Sequence, residues 1–155
     1  MTMAKEEVKE IVLRAIRNEE NAFNLYTSAA RRVKDPAARA GLADLADQER
    51  GHKSKLEKLL AGDMKWSGGF SKKKAKDLHV GDHLEAKPLR DSSDLQDVLT
   101  VAIKREEASG ALYGQMAALL DPGPEKELFE MLASEETKHK LYVESLYEKE
   151  VYKEF

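Results

Sequence analysis

Cysteine is absent from this 155-residue chain, and that absence removes several chemistries together: disulfides, thiolate metal sites, iron–sulfur clusters and cysteine nucleophiles. Any metal has to bind through Glu, Asp, His or backbone oxygen. Proline and glycine are scarce, at four and nine residues, so few points force the chain to turn. No stretch approaches the roughly 18 apolar residues of a membrane span. The opening Met1-Thr2-Met3-Ala4-Lys5-Glu6-Glu7 lacks the apolar core of a secretory signal and reads straight into a charged helix. A soluble cytoplasmic protein is therefore expected. An excess of one charge is missing too: the formal net charge is −3 and the pI is near 5.9, so neither nucleic acid nor an anionic membrane is expected as a partner.

What the chain does have is charge, at 35% of residues, beside 41% hydrophobic residues, a mix that suits long helices with one apolar face each. Its length fits a single domain spanning 1–155. Residues 8–60 match residues 95–147 without a gap, at a constant offset of 87. Glu19 falls on Glu106, Tyr26 on Tyr113, Glu49 on Glu136 and His52 on His139. Such self-similarity marks a repeated structural unit.

Each half reads as a helical hairpin, because apolar positions recur at steps of four and three. The first helix, about 4–33, aligns Val8, Val12, Ala15, Glu19, Ala22, Tyr26, Ala29 and Val33, and Asp35-Pro36 ends it and starts the next. The second, about 36–61, aligns Leu42, Leu45, Glu49, His52, Leu56 and Leu59, with Gly62 as its stop. The third, about 92–120, carries Leu95, Leu99, Ala102, Glu106, Ser109, Tyr113, Met116 and Leu120 behind a Ser92/Ser93 cap. The fourth, about 125–151, aligns Phe129, Leu132, Glu136, His139, Val143 and Leu146. An all-α four-helix bundle follows, with hairpins at 4–61 and 92–151. The segment 62–91 between them is long enough to cross the length of a helix, about 40 Å, which makes the second and third helices parallel.

Glu19, Glu49, His52, Glu106, Glu136 and His139 lie on seams that their neighbours define as buried. Ionised carboxylates in a low-dielectric core cost several kcal/mol each, and four together repel one another. No Lys or Arg shares those seams. Two divalent cations bring four positive charges to four glutamates, and two imidazoles complete the coordination. Both Glu-x-x-His pairs have the three-residue spacing that puts them on one helix face. One Glu from each of two helices and Glu-x-x-His from each of the other two is the ligand pattern of carboxylate-bridged two-metal bundles. The donors suit iron or manganese, with zinc also accommodated. Without metal, desolvation and mutual repulsion are expected to keep several of the four glutamates protonated near neutrality.

On Glu19-Glu20-Asn21-Ala22 with Tyr26, Gln48-Glu49-Arg50-Gly51-His52, Glu106-Glu107 with Tyr113, and Glu135-Glu136-Thr137-Lys138-His139, the chain resembles the rubrerythrin-like branch of the ferritin-like superfamily. The resemblance implies that Glu49 and Glu136 bridge two irons, with Glu19 and His52 on one and Glu106 and His139 on the other. It implies that Tyr26 and Tyr113 hydrogen-bond ligand carboxylates, although both also fit as ordinary core tyrosines. It further implies an oxidoreductase that reduces hydrogen peroxide or O2, or oxidises Fe(II), and that works as a homodimer; exchange of hairpins between two copies is a further expectation. Typical rubrerythrins add a cysteine-bound iron centre, absent here, so an external protein has to donate electrons. They also tend to carry a further Glu one turn after the third-helix ligand, where this chain has Ser109. Two alternatives stay open: a non-catalytic bundle holding iron or zinc, and a di-manganese catalase-like protein. His79 and His83 form a weaker candidate metal pair, and Lys72-Lys73-Lys74-Ala75-Lys76 a candidate dock for an acidic partner.

Overall fold

A computed structural model describes residues 5–62 and 94–151, with side chains from Lys9 onward in the first stretch. The segment 63–93, with Trp66, Gly68-Gly69, the lysine run, His79 and His83, lies outside the described residues. Four helices account for nearly all of the rest: α1 (Lys5–Arg32), α2 (Pro36–Leu60), α3 (Leu95–Leu119) and α4 (Pro124–Val151). Among the described residues there is no strand, and no helix is long and apolar enough to cross a membrane.

Local chemistry sets the helix ends. Asp35 caps α2 in an extended conformation, its carboxylate accepting from the Ala38 N–H at 3.0 Å, and Pro36 occupies the first turn, where its missing N–H costs nothing. Gly62 ends α2 at φ 88°, a left-handed backbone that glycine adopts without penalty. At α3 the expected serine cap gives way to Asp94, whose carboxylate accepts from the Asp97 N–H at 2.8 Å. Several capping residues stand in a row there, and the structure uses the last of them.

The predicted seams are buried throughout, apart from half-buried Leu95 and from Val8, whose side chain is outside the described set. They form two apolar layers. One joins Val12, Ala15 and Ile16 of α1 to Leu56 and Leu59 of α2, Leu112 and Met116 of α3, and Phe129 and Leu132 of α4. The other joins Ala22, Ala29 and Val33 to Leu42 and Leu45, Val98 and Leu99, and Val143 and Leu146. Going along the chain, α1 and α4 run from the first layer to the second, and α2 and α3 run from the second to the first. Helices α2 and α3 are therefore parallel, as a long crossover requires. Between the layers every helix presents polar residues to the interior.

Candidate metal centre

The helical period carries Glu19, Glu49, His52, Glu106, Glu136 and His139 into this middle band, and all six are at most 3% exposed. Their donor atoms fall into two overlapping groups: Glu19, Glu49, His52 and Glu136, and Glu49, Glu106, Glu136 and His139. Within each group the atoms lie within 4.8 Å of one another. Glu49 and Glu136 belong to both.

The geometry follows the 87-residue repeat as a pseudo-twofold. His52 Nδ1 lies 3.6 Å from Glu19 and 2.8 Å from Glu136; His139 Nδ1 lies 3.7 Å from Glu106 and 2.5 Å from Glu49. The two imidazoles are stacked, 10° from parallel with centroids 5.6 Å apart. Tyr26 donates to Glu106 Oε1 and Tyr113 to Glu19 Oε1, each at 2.5 Å. The tyrosines thus bond carboxylates across the bundle rather than along their own helices. Burial, reinforced by the neighbouring carboxylates, pushes both phenols well above 10, so they remain donors.

Each tyrosine engages one oxygen of its glutamate and leaves the other facing inward. Glu19 Oε2, Glu106 Oε2, Glu49 Oε2, Glu136 Oε1 and His52 Nδ1 are buried without a hydrogen-bond partner among the described residues. His52 Nδ1 and Glu136 Oε1 approach closely, but at an angle that makes no hydrogen bond. No Lys or Arg among the described residues pairs with any of the six. Folded chains seldom leave buried polar atoms unsatisfied, and five gathered in two overlapping groups of carboxylate and imidazole donors fit a pair of cations.

A family model described as rubrerythrin matches residues 10–88, just over half of the chain. The chain belongs to the rubrerythrin family. No curated protein gives a match. Among solved structures, a hypothetical protein from Pyrococcus furiosus is similar at 25% identity and a TM-score of 0.68, over 91% of this chain and 88% of that one. A Thermotoga maritima protein assigned to the ferritin-like diiron-carboxylate class shares the fold at 20% identity and a TM-score of 0.70, over 97% of both chains. The rubrerythrin match spans the first hairpin, and the structural likenesses extend over the second.

For this rubrerythrin-family site the electrostatics of the metal-free chain are uneven. Burial pushes Glu49 and Glu136 well above the usual 4.5, helped at Glu49 by Glu19 and Glu106 and at Glu136 by the charges of Glu106 and Glu19. Burial also raises Glu106, against the lowering effect of Glu136 and Tyr26. Glu19 goes the other way: burial raises it, but the closeness of Glu49 and His52 and the Tyr113 hydrogen bond outweigh that. Burial and the charge of His52 hold His139 down at about 4, whereas Glu19 and Glu135 lift His52 against its burial.

Three supporting residues were not assigned a role from the sequence. His52 Nε2 pairs with the carboxylate of Glu135, and His139 Nε2 meets Gln48 Oε1 at 2.8 Å. Both partners stand one turn before the His of their own helix but serve the His of the opposite helix. Only the antiparallel pairing of α2 with α4 brings them there. Asn18 donates to Ser109 and accepts from Arg105 Nη1 at 3.1 Å, a bond across α1 and α3 that engages both Ser109 and the nearby arginine. Glu20 and Glu107, adjacent to two of the six, are exposed and bind Lys53 at 2.9 Å and Lys140 at 3.3 Å.

Proposed function

We infer that the chain is a di-iron oxidoreductase of rubrerythrin type that reduces hydrogen peroxide or O2 with electrons from an external donor protein, or oxidises Fe(II) at the same centre. The observation that carries this reading is the set of five inward-facing, unpartnered donor atoms inside two groups that share Glu49 and Glu136. On this reading Glu49 and Glu136, which belong to both groups, would be shared by the two ions, Glu19 and His52 would help hold one, and Glu106 and His139 the other. Oxygen-rich donors with two imidazoles favour iron or manganese, and the Thermotoga relative's diiron-carboxylate assignment supports iron.

When bound, two irons alternating between ferrous and ferric states supply the two electrons that, with two protons, convert one hydrogen peroxide into two waters. The chain's own residues do the rest. Tyr26 and Tyr113 hold one oxygen of Glu106 and of Glu19, leaving the other oxygen of each free to take an ion. Both imidazoles turn Nδ1 inward and Nε2 toward a hydrogen-bond acceptor, which sets the tautomer with an inward lone pair. The apolar layers close the site at both ends along the bundle, and their low polarity strengthens charge interactions between them.

The test is to load the chain anaerobically with Fe(II) and add hydrogen peroxide. The expected result is loss of one peroxide per two irons, with a ferric absorption that bleaches on reduction. Iron that stays bound but leaves both peroxide and spectrum unchanged would replace this reading with a redox-silent metal-binding bundle.

A further inference from the structure

The pseudo-twofold relates nearly every group around the site to a copy of itself: Glu19 to Glu106, Glu49 to Glu136, His52 to His139, Tyr26 to Tyr113. Behind the imidazoles it relates unlike residues. Gln48 and Glu135 are equivalent positions in the two repeats, and each faces the outer nitrogen of a site histidine. Glu135 offers His52 a carboxylate; Gln48 offers His139 an amide oxygen at 2.8 Å.

With Nδ1 on an ion, each ring would keep its proton on Nε2 and donate it to the acceptor there. A carboxylate accepts such a bond more strongly than an amide does, and it makes the ring a stronger electron donor toward anything held on Nδ1. Glu135 also adds a negative charge behind one half of the site that the other half lacks. The inner donors match in type and in distance to within a few tenths of an ångström, so the difference of residue type that touches the imidazoles lies behind the rings.

We propose that Glu135 and Gln48 are positioning residues that make the two metal positions inequivalent, the ion held by Glu19 and His52 being bound more tightly and in a more electron-rich setting than the ion held by Glu106 and His139. This rests on the metal-centre reading above, and the experiment separates the two. Full-length chain is loaded anaerobically with 57Fe(II) for Mössbauer spectroscopy and, separately, titrated metal-free with Co(II). Wild type should give two distinct quadrupole doublets of equal area. Glu135→Gln, which leaves an amide behind both rings, and Gln48→Glu, which leaves a carboxylate behind both, should each bring the doublets together.

The Co(II) titration should move in opposite directions. Glu135→Gln weakens binding by about 10–100-fold, the range for partners behind a ligating histidine, and Gln48→Glu tightens it. A purely structural role would weaken both variants, and that outcome overturns the proposal. Coincident doublets in wild type, or doublets that stay apart in both variants, would overturn it while leaving the metal centre standing. Failure of the wild-type chain to bind two ions would remove both.

Discussion

A buried glutamate is tolerable only if something answers its charge, and the six polar seam residues show how close the metal-free chain comes to intolerance. Glu136 is 1% exposed, and burial together with the charges of Glu106 and Glu19 makes its ionised form costly. Replacing it with an amide of the same shape removes that cost and a metal donor together. Glu136→Gln should therefore leave the metal-free protein at least as stable as wild type at neutral pH, because neutral replacement of buried ionic groups is often neutral or stabilising. It should also weaken Fe(II) binding by more than about 100-fold, beyond what outer partners of a ligand contribute. Thermal melts with and without Fe(II) read both effects; a variant less stable than wild type when metal-free would show that Glu136 serves the fold instead. Much of this site is legible in the sequence, because a residue's seam position follows from the helical period and the repeat states each position twice. The pairs His52–Glu135 and His139–Gln48 are not legible, since they depend on which helix faces which. The lowered Glu19 is hidden for the same reason: its hydrogen-bond partners include Tyr113, ninety-four positions away.

The helices themselves are set by period and punctuation. Asp35 illustrates how much one punctuating residue contributes, since its carboxylate satisfies an N–H at the start of α2 that would otherwise lack an intrahelical partner. Asp35→Ala should cost about 1 kcal/mol, measured by denaturant unfolding, with metal binding unchanged because Glu49 lies more than three turns further on. A loss of metal affinity at unchanged stability would contradict that separation. Gly41 leaves room on α2 for the Tyr142 hydroxyl of α4, a fit that nothing in the helical pattern marks. The start of α3 shows the limit of punctuation. Ser92, Ser93 and Asp94 are all capping types, so residue type alone does not single out Asp94, the cap that α3 has.

For the molecule as a whole, two apolar layers hold a charged band in place, and stability should depend on pH through that band. In the metal-free chain Glu49 and Glu136 are raised well above 4.5 and His52 is raised above 6.5. The folded chain then holds protons that the unfolded chain releases, so the stability these groups lend at low pH is lost as pH rises through their folded values. His139, held at about 4 against 6.5, opposes this only between those two values. Above pH 6.5 the remaining groups act in one direction. The melting temperature of metal-free protein should fall from pH 6.5 to 8, and the metal-loaded form should resist that fall; a metal-free melting temperature that rises over this interval would contradict the account.

The direct test of the central claim is diffraction at the iron absorption edge from crystals grown anaerobically with Fe(II). Two anomalous peaks are predicted between the apolar layers, both within bonding distance of Glu49 and Glu136, one also against Glu19 and His52 and the other against Glu106 and His139. A band without peaks, or Glu49 and Glu136 turned away from the interior, would contradict it.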